Sequence, residues 1–336
     1  MPQVYYTSSM VFQDRLVVVK KEVEQGLVAF FAKKRQEAKQ ISPHCLMLVD
    51  SVAEFTMRGG KRTRAFLCWL GHHTVIARSE ATRQSLEIAS PSEWTRNDKL
   101  LSAMMALELF QSFALIHDDI IDEDTVRRGG PTVHEHFKSQ ITNPNVQKRQ
   151  RYGESMAILA GDLALVWADE LMGEAVRLSL RAERSNLSIR EIATSPTAPR
   201  NDINIWNLYQ RMKEEVILGQ SLDVLASIGL PSADRETINR YKTAWYSVIR
   251  PIQIGAAIGG ADTDTLEAYV PYGLAVGQAY QLRDDFLDGA VRKDVFVKKA
   301  RKLQERATQA IKKLKISKSV TILLADFAHF TLHRST

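Results

Sequence analysis

Phe113-Ala-Leu-Ile-His-Asp-Asp-Ile-Ile-Asp122 ends an apolar helical pattern in three aspartates at i, i+1 and i+4, and Tyr280-Gln-Leu-Arg-Asp-Asp-Phe-Leu-Asp288 ends another in the same way. Aspartate is a modest helix former and is almost never fully buried unless paired, so three of them beside an apolar run cost stability. A compensating cation is the simplest reason to find them there. On a helix, Asp118 with Asp122 and Asp284 with Asp288 lie one above the other on one face, where two carboxylates can share a metal. Hard oxygen ligands favour magnesium, which usually also carries phosphate. One such cluster alone reads as a solvated helix end; two with the same spacing point to a shared metal site.

The period near 3.6 that leads into both clusters runs through most of the chain, as at Leu16, Val19, Val23, Leu27, Phe30 and Phe31, and strand-like alternation is rare. The expectation is an all-α fold, a large helical bundle, with helices at about 11–40, 44–58, 62–77, 98–122, 151–183, 202–229, 234–260, 264–288, 293–314 and 317–333. The polar or Pro-rich breaks at Ala89 to Asp98, Gly129 to Pro131, Ile141 to Arg149, Ala193 to Asp202 and Gly229-Leu-Pro-Ser-Ala233 have the length of loops rather than linkers, so residues 1–336 read as a single domain. The 45% hydrophobic and 25% charged content is that of an ordinary soluble protein able to bury a sizeable core. A net charge of +6 suits anionic partners. A basic stripe with interleaved aromatics is missing, which argues against nucleic acid, and a diphosphate fits the balance as well. Cys45 and Cys68 have neither metal-ligand spacing nor a disulfide framework and read as core thiols in a reducing compartment. With no leader-like start and no apolar run near 18 residues, the expected location is the cytoplasm, without a transmembrane segment.

Basic loops accompany the acids. Arg127 and Arg128 follow the first cluster, where planar guanidinium groups can pair with phosphate oxygens in two places at once. Upstream, Arg58-Gly-Gly-Lys-Arg-Thr-Arg64 combines two glycines and four cations where a helix begins, a turn suited to a second phosphate group, although it lacks the order of a Walker loop. Polar islands interrupt otherwise apolar helices at Gly219-Gln-Ser-Leu-Asp223, Lys242-Thr243 and Tyr280-Gln281. A buried Asp, Lys or Gln needs partners, either in a structural network or around a ligand.

Taken together, Gly59-Gly-Lys-Arg-Thr-Arg64, Leu115 to Asp122 with Arg127-Arg-Gly, Tyr152-Gly-Glu-Ser to Gly161-Asp162, Gly219-Gln to Asp223, Lys242-Thr-Ala and Gln281 to Asp288 resemble the trans-isoprenyl diphosphate synthases, also called polyprenyl synthetases, in order and approximate spacing over residues 40 to 290. The resemblance implies the isoprenoid synthase fold, an all-α bundle around a central cavity. It assigns Asp118, Asp122 and Asp284 to magnesium binding, with Asp119, Asp285 and Asp288 in support. Arg127, Lys242 and, less directly, Lys213 would surround an allylic diphosphate. Asp223, Thr243 and Gln281 would lie near the allylic cation, where fixed dipoles stabilise developing charge. Isopentenyl diphosphate would be held by Lys61, Arg64, Gln111 and Arg128. The family usually forms homodimers.

Phe113 lies five residues before Asp118, about 7.5 Å down the helix, with Phe110 a further turn below. By resemblance, an aromatic there beside Ala114 marks short-chain enzymes, with geranylgeranyl diphosphate (C20) the expected product and farnesyl diphosphate (C15) the next candidate. After Asp288 the family pattern breaks: Gly289 to Ala300 replaces the usual loop, an apparent deletion that removes lysines normally over the allylic diphosphate. Lys298 has a spacing from Asp284 that could replace one of them, but its surroundings do not match and it reads as a solvated helix lysine. A second reading is therefore a catalytically impaired or regulatory subunit of a heteromeric synthase.

Overall fold

The computed structural model describes residues 3–80, 98–142, 145–185, 200–314 and 316–333. Helices dominate: α1 (Gln3–Ile41), α2 (Leu46–Met57), α3 (Thr63–Glu80), α4 (Asp98–Ile121), α5 (Val133–Ser139), α6 (Val146–Ser185), α7 (Arg200–Ser227), α8 (Arg235–Asn239), α9 (Arg250–Ile258), α10 (Thr263–Ala268), α11 (Val270–Leu287), α12 (Lys293–Lys313) and α13 (Lys318–His333). The helical bundle read from the apolar period is present, and the largest departures are local. The expected helix 234–260 is interrupted by a π-helical segment, Arg240–Ile249, which gives way to α9 where Pro251 removes a backbone donor. The break at Gly129 to Pro131 is a hairpin of two-residue strands, β1 (Val126–Arg127) and β2 (Gly130–Pro131), and α5 follows it. The breaks expected at Ala89 to Asp98 and Ala193 to Asp202 lie almost wholly outside the described residues.

The chain forms two compact units. The first comprises the described parts of 1–18, 66–100 and 176–336; the second those of 19–65 and 101–175. In the second, Val23, Leu27 and Phe31 of α1 are fully or almost fully buried, and both Phe30 and Phe31 meet Trp167 of α6 edge-on, at 5.9 and 6.0 Å between centroids. Helix α4 has the length and hydropathy of a membrane span, which the sequence reading missed, but 72% of that window is buried inside the protein, as in a core helix. It also carries Glu108, whose carboxylate is buried against Arg62 at 3.2 Å.

In the first unit, Phe12, Phe66 and Phe327 cluster, with Phe66 stacked on Phe327 at 6.0 Å. Helices α3 and α9 touch backbone to backbone: a Cβ on Gly255 would lie 1.8 Å from the Cys68 carbonyl oxygen. Cys68 is the core thiol expected, and burial pushes its pKa up, whereas Cys45 is only half-buried, in a 3-10 turn. The π segment is wedged between two helices that lack side chains at the contact. Gly219 of α7 admits the Lys242 backbone, and Gly277 of α11 admits Ala244. Arg250, at the end of the segment, is fixed by Glu215 of α7 at 2.6 and 2.9 Å.

Candidate active site

Both acid clusters close a helix. Asp118 and Asp119 lie in the last turn of α4 with Asp122 just beyond, and Asp284 and Asp285 lie in the last turn of α11 with Asp288 as its C-cap. Neither last turn contains a basic residue, so the carboxylates add to the negative end of the helix dipole. That arrangement is unfavourable for the free protein and favourable for a bound cation. Asp118 is half-buried and Asp122 exposed; Asp284 and Asp285 are half-buried and Asp288 exposed.

Asp119 differs from its neighbours. One residue on from Asp118, it is rotated about 100° around the helix, away from the 118/122 face. It is fully buried and bonded to Arg127 Nε, while Arg127 Nη2 donates to Asp124 at 2.9 Å. Burial pushes the Asp119 carboxyl up to about 6 against the pull of Arg127. Asp119 thus supports the cluster by anchoring the loop beyond it, and Arg127 is held by two carboxylates.

The two basic loops meet in the second unit. Arg128 and Gly129 form the hairpin turn with φ of 51° and 75°, the left-handed pair that a tight two-residue turn requires. Arg58 reaches across from the upstream turn and donates to the carbonyl of Pro131 at 2.6 Å and of Arg127 at 3.4 Å. Gly130 has no side chain to block that guanidinium, and Gly60 passes 3.4 Å from the guanidinium of Arg128 when a Cβ is placed on it. Arg128 is exposed, yet desolvation and the nearby Arg62, Arg64 and Arg127 lower its pKa from the ordinary value. Arg62 and Arg127 are paired with carboxylates, and Arg64 and Arg128 bring the positive charge that favours an anion. Lys61 and Arg64 are half-buried beside them, and Gln111 is buried on α4.

Arg62 turns the other way. Its backbone is left-handed at φ 52° and its side chain is buried, donating to Thr56 O at 2.7 Å and pairing with Glu108 and Glu24. The helix therefore starts at Thr63, and this cation is a structural anchor rather than part of the basic face.

In the first unit, Lys242 sits on the π segment and donates to Asp223 of α7 at 2.7 Å, with Thr243 half-buried next to it. π turns interrupt the regular ladder and recur at functional sites. Gln281 donates to Asp285 at 2.8 Å, which ties that polar island to the second acid cluster. Lys213 lies over the rings of Tyr209 and Trp206, 4.8 and 5.9 Å from their centroids, and Lys298 is exposed.

On the floor of α4, Phe110 is fully buried and Phe113 nearly so, with centroids 5.2 Å apart. Phe113 also meets His117 edge-on at 4.9 Å. His117, not singled out by sequence reading, makes a 3.1 Å hydrogen bond between its Nε2 and the carbonyl of Ile158. Gly161 leaves the space for its ring.

Among the described residues, no three His, Cys, Asp or Glu side chains come together as a metal cluster. The aligned pairs Asp118/Asp122 and Asp284/Asp288 nonetheless fit magnesium, which needs only one or two carboxylates when phosphate oxygens and water complete its octahedron.

The polyprenyl synthetase family model matches residues 47–317. The geranylfarnesyl diphosphate synthase of Natronomonas pharaonis is 35% identical over 191 residues, covering 56% of this chain and 46% of that protein. The geranylgeranyl diphosphate synthase of Methanosarcina mazei is 29% identical over 207 residues, covering 59% and 51%. These matches span about half the length of those curated relatives. A crystal structure of geranylgeranyl pyrophosphate synthase from Corynebacterium glutamicum, complexed with isoprenyl diphosphate and magnesium, superposes with a TM-score of 0.71 at 24% identity, covering 94% of this chain and 98% of that one. That likeness is one of fold, and it agrees with the all-α isoprenoid synthase architecture expected from the motifs.

Proposed function

Because the chain belongs to the polyprenyl synthetase family, we propose that it is a magnesium-dependent prenyltransferase that condenses isopentenyl diphosphate with an allylic diphosphate to a short-chain product, C20 or else C15, as a homodimer. The observation that carries this reading is the meeting of the 58–64 turn with the 127–130 hairpin, which Arg127 ties to Asp119 in the last turn of α4. An acidic helix end and a basic double loop within one unit are what a site for two diphosphates needs. A cyclase that binds a single diphosphate has no use for the second anion subsite.

Magnesium, when bound, would neutralise the allylic diphosphate and make it a better leaving group. The chain's own residues then do the rest. By resemblance, Asp118 and Asp122 on α4, and Asp284 and Asp288 on α11, would supply carboxylates to the metal. Lys242, poised by Asp223 at 2.7 Å, would offer its ammonium to the departing diphosphate. The Thr243 hydroxyl and the Gln281 carbonyl would turn dipoles toward the developing allylic cation. Lys61, Arg64, Arg128 and Gln111 would hold isopentenyl diphosphate so that its double bond attacks that cation, and the released diphosphate can take the final proton. No protein nucleophile is required. Lys298 is exposed and contributes nothing visible to this scheme.

Two expected results test it. Arg64→Ala should raise the KM for isopentenyl diphosphate by about tenfold or more, as for loss of one charge-assisted contact, while leaving the KM for the allylic substrate nearly unchanged. Equal changes in both would remove Arg64 from the homoallylic subsite. Phe113→Ala should lengthen the product, because it opens the floor above Phe110. An unchanged product distribution, measured by chromatography of the dephosphorylated alcohols, would remove Phe113 as the ruler.

A further inference from the structure

The first unit contains an open cavity of about 340 Å³ between the start of the π segment, the first turns of α11 and the last turns of α12. It is within the size range of small-molecule sites. Gln278, the lining residue nearest to the second cluster along α11, precedes Asp284 by six residues, about 9 Å along the helix, so the cavity does not include the acidic helix end. Its floor is apolar, made by Ala244, Pro271, Leu274, Ala275 and Ala310. Its rim carries Arg240, Arg306 and Lys313 against a single acid, Glu236.

The cations are not equivalent. Arg240 is 3.8 Å from Glu236, which also accepts from Gln278 at 3.5 Å. Arg306 and Lys313, seven residues apart, share one face of α12 and make no hydrogen bond or ion pair with the described residues. Two uncompensated cations over an apolar floor favour an amphipathic anion: the charge is attracted to the rim, and a short hydrocarbon body displaces water from the floor. We propose that this cavity is a second, non-catalytic binding site for a phosphate ester with a short aliphatic body.

Octyl phosphate titrated calorimetrically into the full 336-residue protein, in EDTA and without substrate, tests the assignment. The expected result is one saturable site, tighter than for inorganic phosphate. Arg306→Ala/Lys313→Ala should weaken it about tenfold or more through the lost charge-assisted contacts. Both side chains are exposed, so the double variant should keep its fold, checked by circular dichroism. Arg64→Ala should leave the octyl phosphate site intact. The proposal is overturned by the absence of saturable heat, by unchanged affinity in the double variant, by equal affinity for inorganic phosphate, or by loss of binding in Arg64→Ala. The last result would assign the heat to the homoallylic subsite instead.

Discussion

Asp118→Ala should lower turnover with isopentenyl diphosphate by about two to three orders of magnitude or more, the scale seen when one preorganised electrostatic partner of a reacting group is removed. The loss should fall on kcat, and raising magnesium should recover only part of it. Asp118 is half-buried in the last turn of α4, aligned with Asp122 and turned away from the Asp119–Arg127 pair. Removing it takes negative charge from the negative end of a helix dipole, so the apo protein should stay folded. Lower activity with unchanged or raised stability separates a ligand-binding carboxylate from a structural one. If Asp118→Ala kept wild-type turnover, or lost activity only by unfolding, the metal assignment of the first cluster would fall.

Arg62→Ala has the opposite profile. The guanidinium is 3% exposed and shares its donors among Glu108 at 3.2 Å, Glu24 at 3.3 Å and Thr56 O at 2.7 Å. Glu108, itself 4% exposed, keeps the Ala65 amide, at 3.3 Å, but loses its guanidinium partner once Arg62 is gone. Breaking a buried pair by deleting one partner leaves an uncompensated charge and costs about 3–5 kcal/mol. Urea unfolding should show that loss, and Arg62→Met with Glu108→Leu should restore most of it, since replacing both members by apolar groups is often neutral. The exposed Arg35–Asp50 pair, at 2.6 Å, is the control: Arg35→Ala should cost less than about 1 kcal/mol. A loss below about 1 kcal/mol for Arg62→Ala would show that Arg62 does not anchor the turn carrying Lys61 and Arg64.

These two residues also show what the sequence discloses. Long helices were legible because their buried faces repeat every 3.6 residues, and the acid clusters because i and i+4 share a face while an apolar run precedes them. The split within the first cluster follows from the same geometry: Asp119, at i+1, is carried around to Arg127. Arg62 was hidden by its left-handed backbone, which reverses the direction of a side chain that otherwise reads as one more cation in a basic turn. The hairpin around Arg128 escaped for a related reason. Its strands have two residues each, too short for alternation, and a non-glycine occupies one of the two left-handed positions. The π segment was illegible in principle, since the polarity pattern of Arg240–Ile249 does not reveal which carbonyl each amide reaches. Glu108 left a signal: a lone acid amid the apolar residues of α4 demands a buried partner.

The most direct test of the central claim is incorporation of labelled isopentenyl diphosphate into geranyl diphosphate and, separately, into farnesyl diphosphate by the purified chain, with magnesium and with EDTA, followed by sizing of the product. The expected result is a prenyl diphosphate that forms only with magnesium, C20 if Phe113 sets the length and C15 otherwise. A folded dimer that yields no product under either condition would contradict it and leave a subunit that needs an active partner.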